Sequence, residues 1–216
     1  MPAFAGMTAE RDQPPETSPG MTNIMVRAIS VALFAVAAAS SALAHTGSVS
    51  GGFAGGLSHP LFGFDHAVAM LAVGLWGAFL GAPAIFILPV VFPLVMALGG
   101  VLGILGMPFP GVEIGIAVSA AVLGMMVALA ARPPLWVAAA IVGAFAICHG
   151  HAHGAELPPG ADAVAYSAGF VIATGALHLC GIAFGLLARW PKGRIAVRTA
   201  GGGIAIAGLM FLGRLL

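Results

Sequence analysis

Charge is what this sequence has least of. Only 7% of its 216 residues are Asp, Glu, Lys or Arg, against roughly 25% in an ordinary soluble domain, so a water-covered globule is excluded. The net charge is +1 and no basic patch forms, which argues against nucleic acid as a partner. Cysteine is nearly as scarce. Cys148 and Cys180 are the only two, each inside an apolar run, so a disulfide scaffold is excluded and free thiols are expected. There is no GxxxxGK[ST] phosphate loop to suggest ATP hydrolysis, and no HExxH metalloprotease helix.

What is present is apolar: 60% of residues are hydrophobic, with 32 glycines. In a bilayer such small residues let helices pack backbone to backbone. Met25-Val-Arg27, the apolar stretch Ile29 to Ala39 and the small-residue site Ala42-Leu43-Ala44 have the three regions of a secretory signal peptide, residues 25–44, whose cleavage would leave His45 first. The other reading, an uncleaved helix from Ile29 to Ala44, is short for the roughly 20 residues a span needs. Residues 1–24 are polar and proline-rich. They read as an extension, disordered or untranslated, with the true start at Met21 or Met25.

From residue 45 to 216 apolar runs alternate with breaks at Ala82-Pro83, Met107 to Pro110, Arg132 to Pro134, Leu157 to Gly160 and Trp190 to Gly193. These runs predict an all-α, polytopic bundle of six transmembrane helices: Leu61 to Leu80, Ala84 to Leu105, Val112 to Ala131, Pro134 to Gly150, Ala163 to Leu187 and Ile195 to Leu212. Short connections make neighbours antiparallel. Arg132, Arg189, Lys192, Arg194 and Arg198 all fall on one side, which is cytoplasmic by the positive-inside rule, with only Arg214 against the pattern. The mature N-terminus then lies outside, in the periplasm of a bacterial inner membrane. Gly99/Gly103, Gly111/Gly115 and Gly181/Gly185 have helix-contact spacing. Pro89 and Pro93 bend the second span, shaping either the bundle or a cavity.

Seven histidines in so apolar a chain carry the chemical signal. His59-Pro-Leu-Phe-Gly-Phe-Asp65-His66 lies at the outer end of the first span. If one helix covers both histidines they share a face, with Pro60 in its first turn. Asp65, an ionisable group within a span, needs a partner, and it either ligates metal or orients a histidine. On the same side, His149-Gly-His151-Ala-His153-Gly-Ala-Glu156 sets His149, His153 and Glu156 along one helix face, while His151 points elsewhere or lies in a frayed end. Imidazole with carboxylate suits divalent Ni, Co, Zn, Cu or Fe. The candidate ligands are therefore His59, Asp65, His66, His149, His153 and Glu156. His45, His151 and His178 are weaker candidates, His178 being either a ligand or an interhelical hydrogen-bonding group.

On these two motifs the chain resembles the HupE/UreJ family of hydrogenase and urease accessory membrane proteins, regarded as nickel permeases. The resemblance runs through the mature region, and Cys148 departs from the aromatic residue expected before His149. It implies a secondary permease, not an enzyme, taking up Ni²⁺ or Co²⁺ as substrate with no organic cofactor. The predicted path runs inward between the first, fourth and fifth spans and past His178. Metallochaperones or further copies of the chain are candidate partners beside the metal and the lipid bilayer. The rival readings are a membrane metal-binding accessory protein, an intramembrane metalloenzyme and a bis-histidine haem protein.

Overall fold

The computed structural model describes residues 52–157 and 160–216. The predicted signal peptide, the 1–24 extension and His45 lie outside the described residues. Regular structure within them is helical: α1 (Phe53–Phe62), α2 (Phe64–Leu80), α3 (Ala84–Ile104), α4 (Val112–Ala128), α5 (Leu135–Ala155), α6 (Ala163–Gly185) and α7 (Pro191–Gly213), with a 3-10 turn at Leu186–Arg189. Local chemistry sets several ends. The Asp162 carboxylate accepts the Val164 and Ala165 backbone N–H groups, each at 3.0 Å, capping α6. Pro191 occupies the first turn of α7, where its missing N–H costs nothing.

The helices α3, α5, α6 and α7 are each long and apolar enough to cross a bilayer, and α1 with α2 passes as one span bent by 81°. The remaining expected span is α4, whose 17 residues rise about 25 Å, short of the roughly 30 Å hydrocarbon core. Large apolar side chains, among them Leu94, Leu98, Val164, Leu179 and Ile206, point outward from the bundle. In water that surface would aggregate, whereas lipid solvates it.

The first predicted span is corrected. One helix was expected from Leu61 with Pro60 in its opening turn, but Pro60 sits near the end of α1 and the chain breaks at Gly63. Proline withholds the N–H that the Gly56 carbonyl would have received, weakening that last turn. Gly63 is extended (φ −77°, ψ 95°). A new helix then starts at Phe64, where Asp65 accepts the His66 backbone N–H at 2.9 Å and places its carboxylate at the favourable end of the α2 dipole. His59 and His66 therefore belong to different helices. In the other direction, α5 runs five residues past its expected end at Gly150 to Ala155, so all three histidines of the second motif are helical and Glu156 stands at the C-cap.

Glycine brings these elements together. At Gly99 and Gly103 an added Cβ would collide with the backbone of Ile147 and His151, and at Gly150 and Gly154 with that of Met96 and Gly100. The backbones of α3 and α5 thus touch, which fixes the height of His149 and His153. Gly74 abuts the His178 backbone and Gly181 abuts Leu71, setting α2 against α6 in the same way. Gly111 and Gly115 do not form such a pair. Gly111 is the left-handed residue before α4 (φ 78°), a conformation that costs glycine little, and a Cβ at Gly115 would lie 2.6 Å from the Cys148 sulfur.

Candidate metal centre

The break at Gly63 and the reach of α5 make three helices converge on a group of imidazoles. His66 enters from the first turn of α2, His149 and His153 from one face of α5, and His59 from the last turn of α1. Ring centroids are separated by 4.4 Å for His66–His153, 5.0 Å for His66–His149 and 4.8 Å for His59–His153. His66, His149 and His153 are buried, and each offers a nitrogen such that the three lie within 4.8 Å of one another. A second set, His59, His153 and Glu156, meets the same limit and is more exposed. His153 is common to both.

The nitrogen partners decide what these rings can do. Asp65 Oδ1 lies 2.8 Å from His66 Nδ1, while His66 Nε2 is buried without a partner. Of the two roles open to Asp65, the geometry displays orientation: its carboxylate fixes the ring and turns Nε2 inward. A matching device holds His149. Ser119 Oγ donates to the Ile116 carbonyl at 2.6 Å and lies 2.9 Å from His149 Nε2. A hydroxyl has one proton, so Ser119 accepts from Nε2–H, and the neutral imidazole keeps its lone pair on Nδ1. That Nδ1 is buried and unpartnered, as are both nitrogens of His153. Each ring leaves a lone pair, and His153 an N–H as well, that water would otherwise have solvated.

A metal–imidazole bond of about 2.0–2.1 Å brings neighbouring donors to roughly 3–4 Å apart, so closure onto an ion asks for about 1 Å of movement. Side-chain rotation supplies that. At the more exposed edge, His59 Nε2 lies 3.3 Å from Glu156 Oε2. This contact is the main reason the Glu156 carboxyl sits below its ordinary pKa, outweighing the burial that pushes it up. The site is therefore graded, with a carboxylate at its mouth and neutral donors beneath. Phe170 packs on His153 at 4.1 Å and Phe92 on His149 at 5.5 Å, walling the cluster with apolar surface. A cavity of about 220 Å³ between α3, α5 and α6 reaches His153 from the flank.

Two weaker candidates lie apart from the cluster. His151 is helical rather than frayed, but its Nε2 lies 2.7 Å from the Met107 carbonyl and its ring packs near Phe109. His178 is buried deeper in α6, beside Phe92. Sequence reasoning passed over Ser119, although it is the only hydroxyl residue between 112 and 128. A lone serine in an apolar helix was the available signal.

A family model described as the HupE / UreJ protein matches residues 32–211. This chain belongs to the HupE/UreJ family. Among its relatives is Protein HupE of Rhizobium leguminosarum bv. viciae, 46% identical over 184 residues that span 85% of this chain and 96% of the relative. No solved structure matches the chain. Family membership and the apolar helices together make this HupE/UreJ member a multi-pass membrane protein. Both histidine motifs fall within the matched region.

Proposed function

We propose that this protein is a secondary permease that takes up divalent nickel, with cobalt as a second substrate, across the bacterial inner membrane for maturation of a metalloenzyme such as hydrogenase or urease. The observation that carries this reading is the trio of buried histidines, His66, His149 and His153, each offering a nitrogen within 4.8 Å of the others and each keeping a buried nitrogen without a hydrogen-bond partner. Borderline nitrogen donors with a carboxylate at the mouth suit Ni²⁺ and Co²⁺. Six spans, counting the bent pair as one and α4 as a short one, put both histidine motifs on the side opposite Arg132, Arg189 and Lys192. With the positive side cytoplasmic, the motifs face the periplasm, and a cleaved leader ending at Ala44 delivers the chain in that orientation.

In this mechanism Glu156 and His59 meet the hydrated ion first, and His153 turns it from that exposed set toward His66 and His149. Each imidazole replaces a water, so the ion arrives at the cluster partly dehydrated. Asp65 and Ser119 hold their rings through this exchange, so little rotamer freedom remains to be lost on binding. No step requires a covalent intermediate or a nucleophile.

Radiolabelled Ni²⁺ accumulation tests the reading in cells expressing the wild-type chain or the His66→Ala and His149→Ala variants at equal membrane levels. Uptake above background that both substitutions abolish is the expected result. Wild-type uptake no greater than that of empty cells would replace the permease by a membrane metal-binding accessory protein.

A further inference from the structure

His178 is 1% exposed and both of its ring nitrogens lack hydrogen-bond partners, yet it lies outside the three-histidine cluster. An ionisable side chain buried in a membrane helix normally pairs with something. The helix beside this ring is α3: its Phe92 lies 5.4 Å from the imidazole, and the Pro89 carbonyl stands about one turn before Phe92 on that helix. That carbonyl is itself exceptional. Its usual helical partner would be the N–H of residue 93, and residue 93 is a proline inside α3, so the i+4 bond cannot be made. A free imidazole on α6 and a carbonyl on α3 that lacks its i+4 donor therefore both lie close to the buried Phe92 ring.

The vertical order is informative. His149 lies about 9 Å of helix below Ala155, the end of α5. His178 lies about 22 Å below Ala163, where α6 begins at the same end of the bundle. The fully buried Phe92 ring touches both, at 5.5 Å from His149 and 5.4 Å from His178. It sits between a shallow imidazole group and a deep one.

We propose that His178 and the Pro89 carbonyl form a second, inner station for a divalent cation, separated from the outer histidine cluster by the Phe92 ring. The donor set is one imidazole nitrogen and one carbonyl oxygen. Fewer and weaker donors than the outer cluster let an ion move on rather than lodge, as conduction between successive sites demands. Pro89 and Pro93 then have a chemical consequence beyond bending α3: together with His178 they leave an oxygen available deep in the bundle. This inference rests on the permease reading.

The test uses the full chain, purified and reconstituted in liposomes, with Ni²⁺ itself as probe and two readouts: equilibrium Ni²⁺ binding and initial uptake rate. His178→Ala and His178→Gln are compared with wild type. Expected is an unchanged affinity at the outer cluster with uptake at least about tenfold slower in both variants, the scale on which loss of a metal-site group acts. Glutamine retains a hydrogen-bond donor for the Pro89 carbonyl, so wild-type uptake by His178→Gln would show a merely structural histidine and overturn the inner station. Loss of outer-cluster binding in both variants would overturn it too, by showing that His178 supports the fold. A wild-type protein that binds Ni²⁺ yet carries none overturns the permease reading first, and is told apart because it fails before any substitution is made.

Discussion

The two ends of this bundle treat their polar groups in opposite ways. At the basic end, groups that could be stranded in lipid find partners: the Trp76 indole donates to the Ala131 carbonyl at 3.1 Å and Arg198 Nε to the Ala128 carbonyl at 2.7 Å, while the Arg132 guanidinium covers the Phe79 ring at 5.1 Å. The Ala128 carbonyl is the last of α4, whose terminal C=O groups need donors, and Ala131 lies in the loop just after it. At the histidine end, one ring nitrogen each of His66 and His149 and both of His153 are buried and left unpaired. An orphaned buried polar group costs roughly 1–3 kcal/mol. On the proposed reading, a fold that satisfies itself at one end and not at the other keeps the second end for something that arrives from outside. On the permease reading that something is the cation.

The largest effect should come from abolishing the reserve. His149→Leu removes an unpartnered nitrogen and keeps the site filled with apolar volume. It should weaken Ni²⁺ binding by more than about 100-fold, beyond the range seen for groups that merely support a ligand, while the metal-free protein melts no earlier than wild type. Titration calorimetry and a thermal melt on the same sample check both halves. A large drop in metal-free Tm would mean that His149 is structural and would break the contrast between the ends.

Acid should act next. Metal binds neutral imidazole, so protons compete with it; affinity is fully present above the histidine range and declines as pH falls through it. Between about pH 7.5 and pH 5 affinity should fall by more than about tenfold. Glu156 will not share in that loss, because the nearby His59 keeps its carboxyl below the ordinary value and therefore ionised across this interval. Glu156→Gln should accordingly lower affinity at every pH while leaving the slope unchanged. Equal affinity at both pH values would count against imidazole ligation.

A smaller change should follow Ser119→Ala, which frees His149 to rotate and to change tautomer. About tenfold weaker Ni²⁺ binding, with the protein still folded and inserted, is the expected outcome. Unchanged affinity would show that α5 packing alone orients the ring.

Much of this was legible in the sequence, and the failures have physical causes. Apolar runs and proline breaks located α3 and α6 to within a few residues, because hydropathy reports where a helix can meet lipid. The spacing of His149, His153 and Glu156 gave their common face directly. The break at Gly63 was missed because Pro60 was read as opening a helix that it helps to end; proline is tolerated near both ends and composition does not say which. Ser119 was missed for a different reason. A contact between residues 119 and 149 depends on how two helices lie together, and nothing in either segment alone specifies that. The span count is held back by α4, where length and the need to reach across the bilayer disagree.

The smallest effect belongs to the basic end and sharpens the contrast most. Trp76→Phe preserves nearly all of a fully buried ring but deletes its N–H, stranding the Ala131 carbonyl at the loop that follows α4. The loss should be about 1 kcal/mol of stability, the usual net worth of one hydrogen bond, with Ni²⁺ affinity unchanged. The two substitutions are then mirror images: His149→Leu sacrifices binding and spares stability, Trp76→Phe sacrifices stability and spares binding. Measuring both quantities for both variants decides whether the ends are independent. A weaker metal site in Trp76→Phe would mean that α2, which carries Trp76 near one end and His66 at the other, transmits the disturbance along its length, and the unpaired nitrogens would then have to be treated as coupled to the whole bundle.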